Sequence, residues 1–264
     1  MKIMVCLKEV PDMETHFKLN TDQTAIDREG LIFKMNSFDE CAIEEALKLK
    51  EKFKGEVVLL TLGPESAKQT IRKGLAMGVD RALHLNDPTF SGSDSYGTAK
   101  ALSRAIDQEK PNLVLTGVQS EDGIHMHTGV MVAEFLKLPH ATILTKLDVS
   151  QDQKTARLLR ELEGGLLEEV EITLPCVLTV QSGMNIPRYP TLPGIMKAKT
   201  KEIKNFSPQD LGLTASEVGT TGAHVQTLKI FSPESDQKAE MLSGSEEEAA
   251  KTLIQKLKDE AKVL

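Results

Sequence analysis

Residues 113–136 read LVLTGVQSEDGIHMHTGVMVAEFL. Leu113–Thr116 is a short apolar run, as expected of a strand buried on both faces of a parallel sheet. A polar, glycine-bounded loop follows from Gly117 to Thr128. Val130, Met131, Ala133, Phe135 and Leu136 then mark a helix that starts near Thr128. The same strand–loop–helix order recurs upstream. Strand runs lie at Ile3–Leu7, Val57–Leu62 and Ala82–Leu85. One helix is expected from Ser37, with Glu40 completing a capping box, to about Lys54 before Gly55. A second should run from Glu65 to Met77, stopped by Gly78, and a third from Tyr96 to Gln108, ending before Pro111. Such alternation implies an α/β fold with a doubly wound, mainly parallel sheet and right-handed crossovers.

Two stretches depart from it. Residues 11–35 hold charged and polar residues around Phe17, Leu19, Leu31 and Phe33, and read as a hairpin-like excursion. From about residue 141, strands follow one another without helices: Ala141–Leu147, Ala156–Leu162, Leu167–Ile172 and Cys176–Val180. Gly164-Gly165 suits a tight turn between two of them. These four are expected as an antiparallel addition to the sheet. After Val180 periodicity is lost in a proline-containing stretch, too long for an ordinary connection and therefore expected to be functional or to wrap a partner. Ser245 and Glu248 form another capping box. Ala250, Leu253, Ile254, Leu257, Ala261 and Leu264 then give an apolar stripe at helical spacing. The expected organisation is an α/β nucleotide-binding domain at 1–183, a docking loop at 184–204, and a C-terminal arm and helix at 205–264.

Composition narrows the function. The 264 residues carry 32 Lys and Arg against 39 Asp and Glu, a net charge of −7. That balance disfavours phosphate-neutralising nucleic-acid binding. Aromatics are 4%, with no Trp, which disfavours a base-stacking platform. Cys6, Cys41 and Cys176 are far apart, and no C-x-x-C suggests a zinc or iron–sulfur site. No signal-peptide pattern precedes the first strand, and no apolar run approaches the ~18 residues of a membrane span. A cytoplasmic protein without a transmembrane segment is expected.

The loop Gly117–Thr128 lies between a strand and a helix, at the sheet edge where open α/β folds bind ligands. A helix N-terminus there offers free N–H groups to a phosphate. The loop has no Lys or Arg and no Walker pattern, so a lysine-held triphosphate is not expected. Backbone amides with the Ser120 or Thr128 hydroxyl would suit one or two phosphates. The plain alternative is a glycine-tolerant loop with Thr128 as a cap. His125 and His127, two apart, do not share a helix face and lack a metal-ligand partner. Met35–Asp39 precedes a helix at the same edge; there Asn36 and the Ser37 amide would approach a nucleotide, or simply cap the helix. Phe38 is placed to touch a planar cofactor or to join the core. Arg160–Gly165 reads as a polar hairpin, and Glu168, Glu169 and Glu171 as the wet face of a strand. Asn185–Lys199 sets Leu192, Ile195 and Met196 beside prolines and lysines, a docking arm or a loop packed on its own domain.

These segments resemble the electron-transfer flavoprotein beta subunit from Lys2 to about Leu213. The resemblance is carried by Val5–Pro11, Asn36-Ser37-Phe38, Ile43–Leu47, Gly74–Arg81, Gly117–Ser120, and above all Arg160–Gly165 followed by Asn185–Lys199. It implies a fold of the adenine-nucleotide alpha-hydrolase type. It also implies a heterodimer with an alpha subunit that carries most of the site for a redox-active FAD. Within this chain the resemblance implies AMP contacts at Cys6, Asn36, Ser37, Phe38, Asp39, Leu62, Gly117, Val118, Gln119, Ser120, Glu121, Asp122, Gly123, Ile124, His125, Met126, His127 and Thr128. Phe38 would lie near the alpha subunit's FAD, with Met13 where some members place an aromatic. Leu192, Pro193, Ile195 and Met196 would dock flavoprotein dehydrogenases. Thr200 departs from the longer lysine run often found there. In another branch of the family a second FAD replaces AMP and exchanges hydride with NADH. A nucleotide-binding stress or signalling module on the same fold is a third reading, disfavoured by the long arm.

Overall fold

The computed structural model describes residues 1–232 and 239–264; part of the expected arm, residues 233–238, lies outside the described residues. The chain forms two compact units, Met1–Lys18 with Ile26–Leu228, and Leu19–Ala25 with Lys229–Leu264.

In the first unit the strands are β1 (Lys2–Cys6), β2 (Glu9–Pro11), β3 (Phe33–Met35), β4 (Glu56–Leu62), β5 (Arg81–Leu85), β6 (Leu113–Gly117), β7 (His140–Val149), β8 (Thr155–Glu161), β9 (Leu167–Thr173), β10 (Cys176–Val180) and β11 (Ile203–Phe206). The helices are α1 (Ser37–Phe53), α2 (Lys68–Met77), α3 (Ser95–Glu109), α4 (Thr128–Leu136), α5 (Leu192–Ala198) and the short α6 (Gly219–Gly222). Nine strands form one sheet in the order β11-β5-β4-β1-β6-β10-β7-β8-β9. Pairing is parallel from β11 to β7 and antiparallel across β7, β8 and β9. The excursion after β1 is framed by the antiparallel pair β2–β3.

The period-2 geometry of the strands divides the core between two faces. Ile3 and Val5 of β1 pack with Ile43 and Leu47 of α1 and Ile71 and Leu75 of α2. Met4 packs on the other face with Leu102 and Ile106 of α3 and Val132 of α4. Two covered faces explain why the central strands are unbroken apolar runs.

Four expectations are corrected. Cys176–Val180 is not antiparallel: β10 lies parallel between β6 and β7, in register with Leu113–Gly117. Having covered faces on both sides, it needs a run of apolar residues, a pattern that carries no strand direction. The stretch after Val180 is not devoid of regular structure, because it contains α5 and β11, and β11 extends the sheet beside β5 across positions 204 and 205. The Ser37–Glu40 capping box is absent: Asn36 is the N-cap of α1, without a side-chain cap bond. Gly164 and Gly165 both have positive φ, but within a longer connection from Glu161 to Leu167 rather than a two-residue turn.

In the second unit α7 (Glu246–Asp259) begins with the expected capping box, in which Glu248 N–H donates to Ser245 Oγ and Ser245 N–H to a Glu248 carboxylate oxygen. Leu253 and Ile254 of its apolar stripe are exposed. Among the described residues no helix is long and apolar enough to cross a membrane.

Candidate functional site

A cavity of about 940 Å³ opens at the carboxyl edge of the parallel strands, in the first unit. Of the residues expected there, Cys6, Asn36, Asp39, Leu62, Gly117, Val118, Gln119, Ser120, Gly123, His125, Met126, His127 and Thr128 line it. Ser37, Phe38, Glu121, Asp122 and Ile124 do not, nor does Met13, which was expected beside the alpha subunit's FAD rather than here. Phe38 is partly buried behind Gly117, where a Cβ on Gly117 would fall 2.6 Å from the Phe38 Cβ. Met13 is 48% exposed.

Three anchored side chains shape the β6–α4 loop. Asp39, buried on the first turn of α1, accepts the Gly117 N–H at 2.9 Å on one oxygen and the Lys8 N–H at 2.8 Å on the other. Burial pushes its carboxyl up to about 7, while the two N–H donors pull the other way. Asn36, also buried, donates to the Gln119 carbonyl at 2.8 Å and accepts the Glu121 N–H at 3.1 Å. Its amide is therefore engaged with the loop, which is why its side chain makes no cap bond to α1. Lys8 Nζ lies 2.7 Å from Asp122 and 3.2 Å from Ser120 Oγ.

The far end of the loop is left open to an anion. Ile124 and Met126 adopt left-handed φ values of 53° and 58°. Such angles are unfavourable, above all for a β-branched residue, and cluster where function holds them. His127 returns to the right-handed region at φ −95°, and Thr128 is the first residue of α4, rather than its cap. Alternation of this kind turns successive N–H groups into one concavity, here continued by the positive end of α4. Among the described residues, the N–H groups from His125 to Gly129 donate to no protein acceptor.

The opposite wall was not legible in the sequence. It is built by Asp87–Ser95 and Thr98, between β5 and α3. Asp94 caps α3 by accepting the Gly97 N–H at 2.9 Å, and its other oxygen accepts the His224 and Val225 N–H groups at 2.8 and 3.1 Å. Burial pushes that carboxyl up, yet the three N–H donors hold it below its ordinary range. The signal available beforehand was Ser93-Asp94-Ser95 ahead of a helix, an N-cap pattern that says nothing about a cavity. Burial, and then the Asp39 charge, push the Cys6 thiol up to about 12, so it stays protonated at neutral pH. Both oxygens of Asp39 are occupied.

The expected docking segment forms α5. Thr191 caps it by accepting the Gly194 N–H at 3.2 Å, and a Cβ on Gly194 would collide with the Ala76 carbonyl of α2. Ala198 is buried, but Leu192 is 74% and Met196 57% exposed, and Ile195 is also exposed. Arg188 fixes the approach to α5 on α1: its guanidinium bonds both oxygens of Glu44, at 2.8 and 3.0 Å, and Glu51 at 2.5 Å. Asn185 donates to the Cys41 carbonyl at 3.0 Å. The segment thus packs on its own domain through one face and presents apolar side chains on another.

A doubly wound, mainly parallel sheet with a cavity at its carboxyl edge defines an α/β protein of the doubly wound class. Its family follows from comparison with known proteins. A model of the electron transfer flavoprotein domain matches residues 23–211. The chain is 38% identical over 257 residues to the electron transfer flavoprotein subunit beta of Methylophilus methylotrophus, covering 97% of each chain. It is 37% identical over 265 residues to the mitochondrial subunit beta of Arabidopsis thaliana, covering 100% of both. It is 36% identical over 262 residues to the caffeyl-CoA reductase-Etf complex subunit CarD of Acetobacterium woodii, covering 98% of both. The chain belongs to the electron transfer flavoprotein family as a beta subunit, and its role is in electron transfer.

Proposed function

We propose that this chain pairs with an alpha subunit, holds AMP in the cavity, and helps carry electrons from flavoprotein dehydrogenases to a downstream acceptor. The observation that carries the nucleotide reading is the row of unpartnered N–H groups from His125 to Gly129 at the start of α4. They fit a phosphate held without a lysine. Ser120 and Thr128 add hydroxyls, and Leu62 and Val118 add apolar wall for a base. Phe38 is assigned to the neighbourhood of the FAD held mostly by the alpha subunit, and Met13 to its fringe. FAD supplies the redox chemistry when bound. This chain's part is to position the subunit surface and the docking segment.

One observation favours a second reading. The cavity's volume lies near the top of the roughly 300–1,000 Å³ range of small-molecule pockets. Its second wall, Ser91-Gly92-Ser93, carries small side chains. That room suits a dinucleotide, a second FAD served by NADH. Co-expression with the alpha subunit, followed by denaturation and quantification of released nucleotides, separates the two. One FAD and one AMP per heterodimer is the expected result. Two FAD and no AMP would replace it with the NADH-using reading, and FAD alone would refute nucleotide binding by this chain.

Leu192, at the exposed start of α5, is assigned as an anchor for partner dehydrogenases, with Pro193, Ile195 and Met196 around it. Leu192→Ala should slow reduction of the heterodimer by a partner dehydrogenase about tenfold, the scale of one lost apolar anchor. Flavin content should not change. Unaltered transfer kinetics would remove Leu192 from that role.

A further inference from the structure

His84 is fully buried on β5 and lies outside the cavity lining. Strand alternation sets it on the face of Ala82, toward α1 and α2, and the parallel register places it beside Thr61 of β4. Its Nε2 lies 3.0 Å from the Gly63 carbonyl. A carbonyl only accepts, so that nitrogen carries the proton. Burial, aided by the Lys68 charge, holds the ring below its ordinary pKa, against the pull of the Gly63 carbonyl and Glu65. The ring is therefore neutral at neutral pH. Among the described residues, neither its Nδ1 nor the buried Thr61 Oγ1 has a protein partner. The Gly63 contact is thus what fixes the ring, and the ring fixes Gly63 in turn.

Gly63 follows β4 and lines the cavity together with Leu62, Pro64 and Glu65. Three consecutive residues at the end of β5 hold this wall. His84 donates to the Gly63 carbonyl, the Leu85 carbonyl accepts the Gly63 N–H at 3.2 Å, and the Asn86 amide donates to the Glu65 carboxylate. A glycine peptide turns more freely than any other. A Gly63 carbonyl without its donor would turn toward the open cavity for a partner.

We propose that His84 is a positioning residue for the nucleotide cavity: its Nε2–H pins the Gly63 peptide and so sets the Leu62–Glu65 wall against which the nucleotide rests. The proposal rests on the nucleotide reading above and deepens it by naming what holds the wall at Leu62. His84 acts through Gly63 and touches no ligand itself.

The test is calorimetric titration of the nucleotide-depleted heterodimer with AMP. His84→Leu keeps apolar bulk but removes the donor, and AMP affinity is expected to fall about tenfold, the scale of one buried hydrogen bond lost. The amide nitrogen of His84→Gln reaches the place of Nε2, and affinity should return to within about threefold of the unaltered protein. The shorter amide of His84→Asn does not reach Gly63, and this variant should bind as weakly as His84→Leu. Flavin content reports that each complex is intact. If His84→Leu does not assemble, the contrast between His84→Asn and His84→Gln carries the test. A role in packing alone would lower the melting temperature of these variants without separating Gln from Leu and Asn in AMP affinity. Unaltered AMP affinity in the variants without the donor, or a Gln variant as weak as they are, would overturn the role of His84 and leave the nucleotide reading standing. Failure of AMP to bind the unaltered heterodimer would overturn the AMP reading and the role of His84 together.

Discussion

Asp39→Ala is expected to lower the unfolding free energy by about 3 kcal/mol, because it strands two buried N–H donors and opens a small void. Those donors lie just beyond β1, on Lys8, and at the end of its neighbour β6, on Gly117. The loss should therefore spread from stability to function: nucleotide retention should fall as the β6–α4 loop loosens. The cost should also depend on pH. Burial raises the folded carboxyl to about 7 from an ordinary 3.8. A raised folded value means that the native state holds a proton that the unfolded chain releases. The contribution of Asp39 is then greatest below pH 4 and declines as pH rises toward 7. Urea unfolding at pH 5 and pH 8 should show a larger deficit for Asp39→Ala at pH 5. An equal or larger deficit at pH 8 would mean that the two N–H bonds outweigh burial and keep Asp39 ionised throughout.

Arg188→Ala is the second large effect. Glu44 has 6% of its side chain exposed and is held by Arg188 through both oxygens. Removing one partner of a buried pair typically costs 3–5 kcal/mol. With Arg188 about one-third exposed, the expected loss is about 2–3 kcal/mol. The change also frees the approach to α5, since Arg188 N–H and guanidinium both bind Glu44. Limited proteolysis should cut between residues 184 and 192 faster than in the unaltered chain, and transfer from a partner dehydrogenase should slow with unchanged flavin content. Arg188→Lys should recover only part of the stability, because an ammonium cannot hold Glu44 and Glu51 as a fork. Wild-type proteolysis and transfer in Arg188→Ala would show that α5 is held by α2 alone.

Most of the parallel sheet was legible because its strands are apolar on both faces and helices with apolar periodicity alternate with them. The ends of α2 at Gly78 and of β4 at Leu62 fall where the sequence placed them. Strand direction at β10 was not legible, since Cys176–Val180 is apolar throughout and would look the same either way round. β11 was missed because Ile203–Phe206 is a short edge strand with two exposed residues, and among the described residues it pairs with β5 alone. At the cavity, the β6–α4 loop was visible from its glycines and its place before a helix. The Asp87–Thr98 wall was not, because serines and aspartates before α3 mark a cap equally well anywhere on a surface.

The sequence by itself determined the class of fold, the helix stops, the capping box of α7 and the family, all of which depend on local pattern or on residues in order. Tertiary structure decided what the polar residues do. Asn36 and Asp39 hold the β6–α4 loop because strands β1 and β6 are neighbours, a pairing between residues more than a hundred positions apart. His84 meets the Gly63 carbonyl because β5 pairs with β4. Hydrogen bonds and charges act over a few ångströms, and only the folded chain sets which distant residues come that close.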